Sequence, residues 1–368
     1  MVRIQFDITI PSESIMDNET FGKNFVNLTG AQSGTLQDVA FNLVQDRTNS
    51  AQPTKERTIF VLGSKGVGKT SIINNFLDRS ETIKPTLALE YSFGRRSGGP
   101  GQGLQKQVCN VWELGSLSNS SSLMNVPIKS HGFENFASII VLNLLYPDRL
   151  WGDLEAALNG LKQTITTYAN KEAYEKWQKN AVKRVGTNHT DLPTLDLFPF
   201  PVVIIGGYYD KFQDFDPVIK RHVGRCLRSI AHVIGAALIY YSSQHSALSK
   251  TVRDTFNHFG FGSPTKPFRS TVIDYNEPLI IWFGQDSWQS IGVGPTNSER
   301  IKVTYDEQIP QVNSTDSNTY LPVSNPAKEG DFRESVIDEI RAQKDEELLR
   351  WVKDNEFQNK FQAIATTN

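Results

Sequence analysis

Residues 63–70 read GSKGVGKT, and these eight residues decide the fold. A glycine, four residues, then Gly-Lys and a hydroxyl residue form a phosphate-binding loop when a buried strand precedes them and a helix follows. Both flanks are present: Thr58 to Leu62 (TIFVL) is a short apolar run of the kind a central strand needs, and Ser71 to Leu77 (SIINNFL) places apolar residues at helical spacing. Gly63, Gly66 and Gly68 let the backbone of Ser64, Lys65 and Val67 approach an anion. The amides there point inward at a helix N-terminus whose dipole favours negative charge. In this pattern Lys69 reaches the terminal phosphates, Thr70 ligates magnesium, and Ser71 closes the cradle.

The parts that make such a loop a working GTPase are eroded further along the chain. Thr86, in IKPTLALEYSFGRR, sits where a first switch segment places a threonine that senses the terminal phosphate and its magnesium. The magnesium-side aspartate, expected three residues before a switch glycine, is replaced: VWELG puts Trp112 there, with Glu113 as the nearest carboxylate. Ser116 stands where a glutamine would orient water. Guanine is read by Asn, Lys, any residue and Asp after a strand; here the strand Val202 to Gly206 leads into Gly207, Tyr208, Tyr209 and Asp210, so only Asp210 is kept. Ser242 and Ser243 follow the last sheet strand, where a backbone loop meets the base. Loss of polar partners costs such a site its discrimination. GDP, GTP or another nucleotide with magnesium is therefore expected to bind weakly or not at all, with very slow turnover.

PTLALEYSFGRR (85–96), WELG (112–115), VIIGGYYDKFQDF (203–215) and IDEIRAQKDEEL (337–348) together resemble the dynein light intermediate chain family in its cytoplasmic dynein 2 branch. The resemblance runs from about Ile59 to about Lys353. It implies a non-catalytic subunit that binds the tail of the dynein 2 heavy chain, works with other dynein 2 and intraflagellar transport subunits, and supports retrograde transport and cilium assembly. It also implies a place in the cytoplasm and on the cytoskeleton of the cilium or flagellum, at axoneme and basal body. The competing class is a small GTPase whose nucleotide state switches a transport complex. Thr86 and Lys69 favour that class; Trp112 and Ser116 count against it.

The chain has 368 residues and a formal net charge of −2, with no basic stripe, which argues against nucleic acid as a partner. Its longest apolar run, Phe136 to Tyr146, is too short to span a bilayer, so no membrane insertion is expected. The opening MVRIQFDITI is not of the signal-peptide kind, and a cytoplasmic protein is expected. Cys109 and Cys226 fall in a predicted strand and a predicted helix and read as buried small hydrophobes. Six histidines are scattered without metal spacing, and no catalytic constellation emerges.

The expected architecture is α/β: a Ras-like P-loop NTPase fold with a mainly parallel sheet, helices on both faces and one antiparallel strand from the switch region. Residues 1–56 form an N-terminal extension. In it Val2, Ile4, Phe6, Ile8 and Ile10 alternate with polar residues at the period of a half-buried strand, either packed on the domain or docked on a partner, and Thr35 to Asp46 reads as a short amphipathic helix. The degenerate nucleotide-binding domain covers 57–300. It includes a helical insertion at about 151–185 in which Trp151, Leu154, Leu158, Leu161, Ile165 and Tyr168 share a packing face. A proline- and asparagine-rich linker follows at 301–330. The C-terminal segment at 331–360 reads as a helix with Phe332, Val336 and Ile340 at four-residue steps, a polar middle from Arg341 to Glu347, then Leu348, Leu349 and Val352; the pattern suits a solvated helix held by ion pairs or a partner-binding arm, and the resemblance favours the arm.

Overall fold

The computed structural model describes residues 55–80, 82–97, 106–117, 121–168, 171–262, 270–312 and 334–365. The alternating segment at Val2 to Ile10, the helix read at Thr35 to Asp46, and Phe332 lie outside them. Two units are distinguished, one ending at Gln311 and one starting at Val312.

The first unit is built on a seven-stranded sheet in the order β2-β3-β1-β4-β5-β6-β7. The strands are β1 (Lys55–Leu62), β2 (Leu89–Ser97), β3 (Lys106–Leu114), β4 (Phe136–Asn143), β5 (Val202–Gly207), β6 (Ala237–Tyr240) and β7 (Ile280–Ile281). Five of them run parallel; β2 is antiparallel to β3 and β7 to β6. The second antiparallel strand, β7, takes only two residues of the apolar run Leu279 to Phe283. It is continued at the sheet margin by a bridge from Val272 to Ile280.

Central strands buried on both sides need continuous apolar runs, and β4 (FASIIVLN) and β5 (VVIIGG) supply them. Alternate residues feed two cores. Ile59, Val61, Ile139, Val141, Val203 and Ile239 face α1 (Lys69–Phe76), through Ile72, Ile73 and Phe76, and α7 (Ser246–Phe261), through Val252 and Phe256. Phe60, Leu62, Ile140, Leu142, Ile204 and Leu238 face α2 (Ser121–His131), α3 (Pro147–Tyr168) and α6 (Pro217–Ile234). Helices on both faces are what a parallel sheet requires.

The insertion is two helices, α3 and α4 (Lys171–Val185). Trp151, Leu154, Leu158, Leu161 and Ile165 are buried as their spacing predicts. Tyr168 is not: at the last turn of α3 it lies 42% exposed, beyond the sheet it was expected to cover. On α4, Trp177 packs against Phe133 with ring centroids 4.5 Å apart, while Tyr174 is exposed. Cys109 and Cys226 are buried and unpaired, and burial pushes both thiols up to about 12.

After α7 the chain adds β7, α8 (Trp288–Ile291) and α9 (Ser298–Gln308). The linker expected from residue 301 is therefore a helix at its start. Asn297 caps α9 through its side chain, which accepts from the Arg300 N–H at 2.9 Å, and Ile301 and Tyr305, one turn apart, are fully buried against α6. The Tyr305 hydroxyl donates to the Pro147 carbonyl at 2.8 Å, which ties α9 to the start of α3.

This extension is anchored by a buried ion pair. Arg228 on α6 donates through Nε and Nη2 to the two carboxylate oxygens of Asp286 at 2.9 and 2.7 Å. Its other donors reach Ser290 Oγ, the Tyr275 hydroxyl and the Ile273 carbonyl.

The second unit contains α10 (Ser335–Ala365), which begins and ends a few residues later than the 331–360 read from the sequence. Val336, Ile337, Ile340, Leu348, Leu349, Trp351 and Val352 are each 40% or more exposed.

Candidate functional site

Five strand ends converge where a ligand of an open parallel sheet belongs, at the carboxyl edge. The loop after β1 has left-handed or related backbone at Gly63 (φ 148°), Gly66 (φ 81°) and Gly68 (φ 92°). Gly63 is the strictest of these. A Cβ there would lie 2.3 Å from the Val141 carbonyl oxygen of β4, so this turn can be made only by glycine. Gly68 is the N-cap of α1, and a Cβ there would meet nothing within 4 Å, so the helix N-terminus has open space beside it.

Lys69, Thr70 and Thr86 meet as the pattern predicts, but around a residue it misjudges. The β3 register pairs Glu113 with Val61, which turns the Glu113 side chain onto the face of α1, while Trp112 turns away to pack on Tyr91. Glu113 is 5% exposed, and its Oε1 accepts from the Thr70 hydroxyl at 2.8 Å. The Thr86 hydroxyl donates to Glu90 at 3.0 Å and lies near enough to the Glu113 carboxyl to favour its charged form. A carboxylate thus stands beside Thr70, one residue later than counting back from Gly115 indicates. Counting back from Gly115 lands on Trp112 because the count assumes the strand register of a standard GTPase, and Glu113, read as the nearest carboxylate, is the side chain that faces α1.

Lys69 is 4% exposed and its Nζ donates to the carbonyls of Gly63 (2.8 Å), Ser64 (2.8 Å) and Gly115 (3.2 Å). Burial lowers its pKa to about 8, against the opposing fields of Glu113 and Asp153. Asp153, on the first turns of α3, bonds Ser64 and was not foreseen; no spacing in the sequence connects it to the loop. Burial raises both carboxyls, Glu113 and Asp153, and Lys69 pulls each back down. Two hydroxyls and a carboxylate are a hard oxygen donor set suited to magnesium, and the glycine turn with Lys69 suits a polyphosphate. The residues therefore fit a magnesium nucleotide at its phosphate end. Lys65 and Gly66 are exposed at the loop tip, Val67 is buried beneath it, and Ser71 lies half-buried in the first turn of α1.

The base end is poorer. Asp210 Oδ1 accepts from Ser242 Oγ at 2.8 Å, which joins the ends of β5 and β6 as a base pocket requires. Tyr208 stands at the lysine position of the tetrad, as the N-cap of the short α5 (Tyr209–Phe212). It is held at φ 62°, and its hydroxyl donates to the Gly66 carbonyl at 2.8 Å, bracing the phosphate loop from the base side. An aromatic ring there offers a stacking surface without a base-specific hydrogen bond. Ser116 stands where a water-orienting amide is expected, so among the described residues that position offers a hydroxyl and no amide to direct a nucleophile.

A second cluster brings His189, Asp191 and His232 within 4.8 Å of one another, which the scattered histidines did not suggest. Both nitrogens of His189 are engaged: Nε2 donates to the Asp286 carbonyl and Nδ1 accepts from the Asp191 N–H. Asp191 accepts from His232 and from the Trp288 N–H, each at 3.0 Å. These bonds dock α8 on the domain, and the cluster reads as a structural latch.

Comparison with known proteins follows the same line. Over 342 residues the chain is 35% identical to a Bos taurus protein named cytoplasmic dynein 2 light intermediate chain 1, covering 87% of this chain and 95% of the relative. The Danio rerio protein of that name is 34% identical over 344 residues (86% and 94% coverage), and the Homo sapiens protein 33% over 314 residues (80% and 87%). The chain belongs to the cytoplasmic dynein 2 light intermediate chain family. The crystal structure of a dynein light intermediate chain's conserved domain superposes with a TM-score of 0.52 at 16% identity, covering 71% of this chain and 93% of that one, which shows a shared fold. No protein-family model matches the chain.

One face of α10 is apolar. On a helix of 3.6 residues per turn, Ile337, Ile340, Leu348 and Trp351 fall within an arc of about 80°. Val336, Leu349 and Val352 fall outside it, while Ile337 and Trp351, which four-residue counting passes over, complete the stripe. No helix among the described residues is long and apolar enough to cross a membrane.

Proposed function

We propose that this chain is a non-catalytic subunit of the dynein 2 motor that binds the tail of the heavy chain and supports retrograde intraflagellar transport and cilium assembly. The observation that carries this reading is α10. Four large apolar side chains share one face of a helix and are each more than half exposed, on a family member whose relatives are named as motor light intermediate chains. A solvent-facing stripe of this kind is a helix-in-groove anchor, and the α-helical tail of a motor heavy chain is the partner that matches it. Placement in the cilium and contact with other transport subunits follow from that assembly.

The test is co-purification of the full chain with a dynein 2 heavy-chain tail fragment. Removing residues 331–360, or substituting Leu348→Asp with Trp351→Asp, is expected to lower capture at least tenfold while the nucleotide-binding domain keeps its melting temperature. Undiminished capture by both variants would refute the role of α10, and absence of capture by the intact chain would refute the subunit reading.

The convergence of Thr70 and Thr86 on Glu113 supports a second element of the proposal: the loop holds a nucleoside di- or triphosphate with magnesium, kept for shape and not for turnover. Nucleotide released by denaturing the purified protein, with GTP unhydrolysed over hours, is the expected result. Rapid GTP-selective hydrolysis would restore the switch alternative.

A further inference from the structure

The sheet has two margins of different kinds. At one, β7 is two residues long and is met on its outer side by Val272. At the other, β2 is a nine-residue strand paired only to β3 among the described residues. The Gly115 N–H donates to the Ala88 carbonyl at 2.7 Å, which fixes the phase of the β2–β3 ladder. Residues 90, 92, 94 and 96 therefore bond inward, and the N–H and C=O groups of Leu89, Tyr91, Phe93 and Arg95 point outward. Tyr91 and Phe93 are each 37% exposed on the α2 side of this margin, beside Trp112 and His131. A long edge with outward amides and aromatic side chains is a pairing template that soluble proteins cover.

We propose that residues 2–10 of this same chain cover it, adding as an outermost strand parallel to β2. Three observations select this occupant. The first is period and length: VRIQFDITI alternates strictly over nine residues and β2 has nine, so Val2 to Ile10 matches Leu89 to Ser97 one for one. In that register Val2, Ile4, Phe6 and Ile8 fall on the same side as Leu89, Tyr91, Phe93 and Arg95, with Ile4 beside Tyr91 and Phe6 beside Phe93.

The second is charge. The parallel register sets Arg3 beside Glu90 and Asp7 diagonal to Arg96, whereas the antiparallel register sets Arg3 beside Arg96 and Asp7 toward Glu90. The third is reach. Lys55 pairs with Gln107, which pairs with Arg96, so β1 begins at the Ser97 end of β2. A strand leaving at Ile10 there lies about 14 Å, three strand spacings, from Lys55, and residues 11–54 span that easily. The added strand makes the sheet eight-stranded and closes the margin intramolecularly. It also leaves β2 unavailable for strand addition by a partner.

Hydrogen exchange on the full chain and on a chain lacking residues 1–12 tests this. In the full chain the amides of Tyr91, Phe93 and Arg95 are expected to exchange at least tenfold more slowly than in the truncated one, independent of protein concentration, while Ile139 to Leu142 of β4 are unchanged. The double substitution Ile4→Asp with Phe6→Asp reproduces the loss without shortening the chain, and a peptide of residues 1–12 added to the truncated protein restores protection. Equal exchange in the intact and substituted chains would overturn the proposal. So would protection that disappears on dilution, since the covering strand would then come from a second copy.

Discussion

Replacing Asp286 with alanine isolates the energetic role of the C-terminal extension. Arg228 carries five N–H donors, and all five are used: two on Asp286 and one each on Ser290 and Tyr275, with the fifth on the Ile273 carbonyl. The side chains of the pair are 2% and 6% exposed, so water cannot take the place of a lost partner. Asp286→Ala leaves a buried guanidinium with two vacant donors and no counter-charge, a loss of about 3–5 kcal/mol. For a domain of this size each kcal/mol moves the midpoint by about 2–4 °C, so a fall of roughly 6–20 °C is expected. Arg228→Met alone strands the carboxylate and costs a similar amount. The double variant Arg228→Met with Asp286→Leu removes both charges and is expected to recover most of the loss, because a well-packed apolar pair can replace a buried ion pair with little penalty. Urea unfolding followed by tryptophan fluorescence reads all three, with Trp282 and Trp288 flanking the pair in sequence. A single-variant cost below about 1 kcal/mol, or a double variant as unstable as the sum of the singles, would refute the reasoning.

Gly63→Ala places a methyl group 2.3 Å from the Val141 oxygen at a φ of 148°, and is expected to destabilise the domain by about 1–3 kcal/mol and to abolish any nucleotide retention; Gly68→Ala, with open space around it, should cost less. Lys69 has a folded pKa lowered to about 8, and a bound polyphosphate would raise it again. Nucleotide binding should therefore take up a proton above pH 8 and weaken up to tenfold per unit there, measurable by calorimetry in buffers of different ionisation enthalpy. His232 is held below its ordinary pKa by burial, in spite of Asp191. The folded state thus binds fewer protons than the unfolded one below about pH 6.5, stability falls on acidification through that range, and His232→Gln should flatten the dependence in thermal scans from pH 7 to 5.

The strand–loop–helix at 58–77 was legible because three signals coincide there: an apolar run, a glycine spacing and a helical period. The same holds for β4 and β5, whose runs have no polar interruption. Glu113 shows where reading by motif fails: the functional side chain is selected by which face of β3 meets α1, and a one-residue offset reverses the face. α9 was hidden by composition. SERIKVTYDEQ buries only Ile301 and Tyr305, too little apolar periodicity to stand out, although Asn297 in a capping position was there to be read. Asp153 and Tyr208 reach the loop through tertiary contact alone, and no local pattern announces such a meeting.

The stripe on α10 is interrupted from Arg341 to Glu347, and the interruption sets a ruler. At 1.5 Å per residue, the Ile337–Ile340 pair and the Leu348–Trp351 pair are centred about 16–17 Å apart, three turns along one rigid rod. A binding groove for α10 needs two hollows at that separation. Once either pair is seated, the other is presented to its hollow at high local concentration, so two modest contacts hold as one, and blunting a single pair loosens the whole grip.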